Sequence, residues 1–175
     1  MKKLSAGKII IRYTLLAVVC AVIFWFSSNN GEDSTYQSSR IVDLICRIFF
    51  PEIDLLEPAR AMAIQDMLTV LVRKAAHFSI YTLLGALAFA AFFPIRYKSL
   101  RFLFSISFVF LYACTDEFHQ TFVSDRTGKF SDVIIDLCGG TLGAFIILAA
   151  VMLLEAHRII KENKLRQTKT SEGQN

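Results

Sequence analysis

Charge is scarce in this chain. Asp, Glu, Lys and Arg make up 19% of its 175 residues, against about 25% in a typical soluble domain. Its 8 Gly, 3 Pro and single Trp exclude collagen-like sequence. The four cysteines, Cys20, Cys46, Cys114 and Cys138, match no zinc spacing, and only Cys46 lies clearly in an aqueous segment, so a disulfide scaffold is excluded and packed, reduced thiols are expected. Disorder is excluded for most of the chain, because 54% of it is hydrophobic. The mean hydropathy of +0.49 comes from apolar residues gathered into long blocks. The length allows one domain, and the blocks point to lipid rather than water as its solvent.

Crossing the hydrocarbon layer as a helix takes about 20 apolar residues. Segments 9–26, 75–93 and 133–154 qualify, the first interrupted only by Arg12. A further block, 102–115, lies between Arg101 and Asp116 and is about six residues too short. It still requires a solvent for its aromatic run, so four spans are expected. If it crosses, its helix continues past Thr115 and carries Asp116 and Glu117 to the membrane boundary or below it. The first block is too long for a signal-peptide core and has no Ala-x-Ala site after it, so it reads as an uncleaved span.

Orientation follows the cations. Lys2, Lys3, Lys8 and Arg12 precede or open the first span. Arg96, Lys98 and Arg101 crowd the 94–101 connection, and Arg158, Lys161, Lys164, Arg166 and Lys169 fill the tail. The remaining segments, 27–73 and 116–132, are net acidic. The expected protein is therefore an all-α, multi-pass protein of the cell membrane with both termini cytoplasmic. The basic tail reads as an orientation signal, with no nucleic acid as partner. The organisation is a basic N-terminus and first span (1–26), an outer segment (27–73), a core of three spans with a polar outer loop (74–154) and a basic cytoplasmic tail (155–175). Within the outer segment, 27–39 reads as a polar loop. Ile41, Leu44, Ile45, Ile48 and Phe49 then form the stripe of an amphipathic helix ended by Pro51, placed in the outer headgroup region, with packing across the bundle mouth as the rival. A helix starting near Pro58 is expected to run into the second span, and the chain from 167 onward to be disordered.

The ionisable residues near lipid carry the functional signal, because charges at membrane depth are costly and tend to pair or mark sites. Lys74, His77 and Tyr81 lie at i, i+3 and i+7 on one face of the second span. The third span ends in Asp116, Glu117, His119 and Gln120, and the fourth begins with Asp132, Asp136 and Gly140 at i+4 steps. Arg126 sits in the loop between them. All of these fall at one height, near the outer surface. His119 and Asp125 read as solvated. Gly139-x-x-x-Gly143 permits close helix approach, either inside the bundle or between two copies of the chain.

These residues, in order, resemble the VanZ-like family, that of the teicoplanin-resistance accessory protein. The matching strings are Lys74-Ala-Ala-His77-Phe78-x-x-Tyr81-x-x-Leu84-Gly85, Asp116-Glu117-x-x-Gln120-x-Phe122, Arg126, and Asp132-x-x-x-Asp136-x-x-Gly139-x-x-x-Gly143. The resemblance covers roughly residues 70–150. It departs from the family at Asp136, where the family pattern often has Asn. It implies a small multi-pass protein linked to glycopeptide resistance or the cell envelope.

The leading expectation is a site for an anionic, lipid-linked cell-wall precursor or phospholipid headgroup, with or without catalysis. Lys74 and Arg126 would hold a phosphate or carboxylate, Tyr81 would line the site, and Gln120 would orient substrate or water. Glu117 would act as general acid or base, with His77, oriented by Asp136 or Asp132, as the second proton carrier and Asp116 beside them. No Ser or Cys lies in a nucleophile motif, which disfavours covalent catalysis. No resident cofactor is expected, although a divalent ion among Glu117, Asp132, Asp136 and His77 is conceivable. Two other classes compete: a non-catalytic module that shields a precursor, and a structural charge lock holding the helices together.

Overall fold

The computed structural model describes residues 5–124 and 126–172, without the side chains at positions 32, 33, 54 and 168–172. Asp125, expected to be solvated, lies outside the described residues. Among the described residues five α-helices follow in order: α1 (Ala6–Ser27), α2 (Gly31–Phe49), α3 (Pro58–Ala91), α4 (Lys98–Gln120) and α5 (Phe130–Glu172), with a single 3-10 turn, Ile53–Leu55, between α2 and α3. Four of them, α1, α3, α4 and α5, are long and apolar enough to cross a membrane. The protein is an all-α membrane protein with no strand among the described residues.

Helix boundaries follow local chemistry. Pro58 stands in the first turn of α3, where its missing N–H is no loss. Pro51 and Pro94 fall just beyond the ends of α2 and α3. At 23 residues, α4 is about 35 Å long; it continues past Thr115, carrying Asp116 and Glu117 on its last turns as expected. Two expectations are corrected. The polar stretch read as loop is helical from Gly31, because Thr35 and Ser38 turn their hydroxyls back onto the carbonyls of Gly31 and Ser34 at 2.8 and 2.9 Å and so do not compete with the helix. The tail read as disordered from 167 stays helical to Glu172, as an unbroken continuation of the fourth span.

The bundle is apolar outside and mixed inside. The inward face of α4 carries Arg101, Ser105, Val109, Ala113, Asp116, Glu117 and Gln120, while Phe104, Leu111 and Phe118 are exposed. Because lipid is as apolar as leucine, close van der Waals packing and hydrogen bonds between helices hold such a bundle together. The closest approach is between α3 and α5, which pack together most extensively. A side chain added at Gly139 would collide with the Phe78 backbone, one at Gly143 with Thr82, and one at Gly85 with Gly140. The Gly139/Gly143 face is therefore taken up inside the chain. At the basic end, Arg12 donates to the Ala90 carbonyl at 2.9 Å and Arg101 to that of Phe89. Both guanidiniums also stack on phenylalanine rings, Arg12 on Phe93 and Arg101 on Phe89. These cations meet the C-terminal end of α3, where orphan carbonyls favour positive charge. Lys98 and Glu155 form an ion pair nearby.

Helix α2 packs along the first half of α3. Val42 and Cys46 are buried against Ala61, Ile64, Leu68 and Val72, together with Ile53 from the connecting turn. Of the stripe read from the sequence, Leu44, Ile48 and Phe49 are exposed, Ile45 is half-buried, and Ile41, though exposed in part, edges a hollow between α1, α2 and α3. The amide of Gly31 donates to the Ser124 carbonyl at 3.1 Å, tying the start of α2 to the loop after α4.

Gly143→Leu should lower stability by about 1–3 kcal/mol through overpacking against Thr82. Gly7→Ala, with no neighbouring heavy atom within 4 Å, should change it by less than about 0.5 kcal/mol. Unfolding of the detergent-solubilised protein, followed by circular dichroism, measures both.

Candidate functional site

Helices α3 and α5 run in the same direction, with α4 antiparallel to both, so the first residues of α5 face the middle of α3 and the last turn of α4. This register stacks the polar groups in tiers. In the tier nearest the bundle end, Lys74 donates to Asp132 at 3.0 Å, with both side chains partly exposed. One turn deeper, His77 Nδ1 lies 3.5 Å from Asp136 Oδ1, close enough for an ion pair but without hydrogen-bond geometry. Asp116 and Glu117 join them from α4. One donor atom from each of His77, Asp116, Glu117 and Asp136 lies within 4.8 Å of all the others.

The carboxylates of the deeper tier are buried, while His77 keeps 32% of its side chain exposed. Asp136 has no exposed surface, and Asp116, Glu117 and Gln120 are buried. Gln120 Nε2 approaches Asp116 Oδ2 at 3.3 Å and Glu117 Oε1 at 3.4 Å, bracketing the two carboxylates. The backbone amide of Lys129 donates to Glu117 Oε2 at 2.9 Å, and Gly128 lets the loop backbone approach the end of α4 closely. The other acceptors are not satisfied: both Asp136 oxygens and Asp116 Oδ1 have no hydrogen-bond partner among the described residues. Orphaned buried carboxylate oxygens are rare and call for an explanation.

Two hollows flank His77. The first, of about 170 Å3, is polar, and its walls include Arg73, Lys74, His77, Gln120, Arg126, Asp132 and Asp136. The second, of about 240 Å3, lies between α1, α2 and α3 and is mostly apolar, lined by Ile23, Phe26, Ile41, Val72 and Ile80 among others. Arg73, His77 and Arg126 belong to both walls. Neither Arg73 nor Arg126 forms an ion pair among the described residues; Arg126 reaches only the Phe26 carbonyl, at 3.4 Å. Burial, reinforced by the like charge of Arg73, pulls the Arg126 guanidinium below its ordinary value, while Asp116 and Glu117 pull it back. It remains a cation at neutral pH.

The structure brings together His77, Asp116, Glu117, Asp136 and Gln120, and places Lys74, Arg126 and Asp132 at the mouth. It divides the carboxylates differently from the sequence reading: Asp132 is held by Lys74, and Asp116 takes the place beside His77 that Asp132 had in the conceivable ion site. Tyr81 is fully buried beneath the cluster and lines neither hollow. His119 is not simply solvated, because it stacks on Phe24 with ring centroids 4.6 Å apart and meets the Ser28 hydroxyl at 3.1 Å. Arg73, which lines both hollows, has no role in the sequence reading, and the Lys129 amide carries no side-chain signal.

The family described as VanZ/LLP1 matches residues 12–154, and the chain belongs to it. No curated protein and no solved structure matches.

The Lys129 amide contact separates two substitutions at one position. Glu117→Ala removes the acceptor of a charge-assisted hydrogen bond and should cost about 1.5–3 kcal/mol. Glu117→Gln keeps an oxygen acceptor and should retain most of the stability. Thermal unfolding of the two purified variants measures the difference.

Proposed function

We propose that this VanZ/LLP1 membrane protein binds the anionic headgroup of a lipid-linked envelope precursor, with its site on the outer face of the cell membrane. The observation that carries this reading is the shared wall: two guanidiniums, Arg73 and Arg126, with no ion pair among the described residues, stand where a polar and an apolar hollow meet. A phosphate held by their planar forks would leave its hydrocarbon chain facing Ile23, Ile41, Val72 and Ile80. Lys74 stands at the polar mouth as well, paired there with Asp132. His77 and Glu117 are then the groups placed for proton transfer to a bound headgroup. The link to teicoplanin resistance implied by the sequence resemblance fits a site for such a precursor.

The charge-lock reading is the weaker one. A lock pairs its charges, whereas Arg126 forms no ion pair and Asp136 keeps two orphaned oxygens among the described residues. The shielding reading uses the same cations without turnover. Lipid analysis by mass spectrometry, comparing expressing and deleted cells, separates it from catalysis, since a shield binds saturably and leaves its ligand unchanged.

Arg126→Gln and Arg73→Gln should each weaken binding of a polyprenyl phosphate in detergent by tenfold or more, at normal protein abundance. His77→Ala and Glu117→Gln should keep abundance and lose the resistance or envelope phenotype; full retention of that phenotype in both removes the proton-transfer role. For orientation, a cysteine introduced at Thr127 in a cysteine-free background should react with a membrane-impermeant maleimide on intact cells. One introduced at Lys161 should react only after the cells are opened.

A further inference from the structure

We infer that His77, Asp116, Glu117 and Asp136 form a binding site for one divalent transition-metal ion. The inference rests on the donor set and not on the headgroup reading. Ligands around a single ion lie about 2.0–2.4 Å from it, so opposite ligands are about 4–5 Å apart. The four donor atoms here, drawn from α3, α4 and α5, all fall within 4.8 Å of one another. That spread matches the size of one coordination sphere.

The unsatisfied atoms point the same way. His77 Nδ1, Asp116 Oδ1 and both oxygens of Asp136 are buried without a hydrogen-bond partner among the described residues, and Asp136 has no exposed surface at all. A fully buried carboxylate surrounded by two others is repelled by them and desolvated. His77, 3.5 Å from Asp136 Oδ1, is one imidazole facing three carboxylates, and the nearby lysine and arginine add no pairing. Lys74 is engaged by Asp132, and Arg126 forms no ion pair with the cluster. A dication at the centre supplies the missing partner for the imidazole nitrogen and for all three carboxylates together. The composition also selects among ions: three carboxylates suit hard cations, but an imidazole in the set favours Mn2+, Fe2+ or Zn2+ over Mg2+ and Ca2+. Gln120 beside Asp116 and Glu117, and the Lys129 amide on Glu117, serve as the outer contacts that orient metal-bound carboxylates.

The full chain, purified in detergent and stripped with a chelator, is dialysed against Mn2+, Zn2+ or Mg2+ without added lipid. Bound metal is measured by elemental analysis, by Mn2+ spin resonance and by the shift in unfolding temperature. The expected result is about one Mn2+ or Zn2+ per chain, a raised unfolding temperature, and little uptake of Mg2+. Asp136→Asn and Asp116→Asn should weaken uptake tenfold or more. Glu155→Gln, at the opposite end of the bundle, should leave it unchanged. Substoichiometric metal with no temperature shift in the wild-type chain overturns the proposal, because the cluster is then neutralised by protons alone. Equal uptake by the wild type and both Asn variants overturns it as well. Because no lipid is present, these outcomes stand apart from those of the polyprenyl phosphate assay.

Discussion

The backbone contact between α3 and α5 is the constraint on which the rest of the structure depends. Gly139 against Phe78, Gly143 against Thr82 and Gly85 against Gly140 leave no room for side chains between the helices. That contact fixes both their separation and their relative height. With the height fixed, Lys74 meets Asp132 and His77 meets Asp136, two pairs a turn apart. A slip of one turn would break both pairs and re-form at most one cation–carboxylate contact, leaving the other carboxylate without a cationic partner. In a lipid environment, where apolar burial between helices gains little, this contact geometry, more than hydrophobicity, decides the register.

The two ends of the bundle use charge in opposite ways. At the basic end, Arg12 and Arg101 complete the hydrogen bonding of α3 and stack on phenylalanine rings, so each cation has a structural partner. At the other end, Arg73 and Arg126 have no carboxylate partner among the described residues, and three clustered carboxylates face a single imidazole, with no lysine or arginine paired to them. A chain able to pair its charges at one end and leaving them apart at the other has not been arranged for stability alone. Functional sites are where such local inconsistency is expected.

Much of this was legible in the sequence. Long apolar blocks identified the four spanning helices, and the shortness of block 102–115 forced Asp116 and Glu117 onto the end of α4. Helical spacing placed Lys74, His77, Asp132 and Asp136 on common faces. What spacing cannot supply is the neighbour that each face meets. It assigns a residue to a side of its own helix, whereas the choice between Asp116 and Asp132 as companion of His77 depends on how α4 leans against α3. The same limit hid the depth of Tyr81 and the stacking of His119 on Phe24. In α2 the apolar stripe was real, but Val42 and Cys46 meet α3 while Leu44, Ile48 and Phe49 face outward. The polar start of that helix was hidden for another reason: Ser and Thr read as loop formers until their hydroxyls are seen to bond within the helix.

Helix α5 runs on beyond its apolar stretch, and from Glu155 to Gln167 its side chains are exposed. A detached peptide of that length would be marginally helical in water, because the first turn is expensive to initiate. Here initiation has already taken place among the packed turns around Gly139 and Gly143, and each later residue adds only a propagation step. The projecting part therefore melts by fraying from its far end inward. Its helicity should decline gradually with temperature, without a cooperative transition of its own.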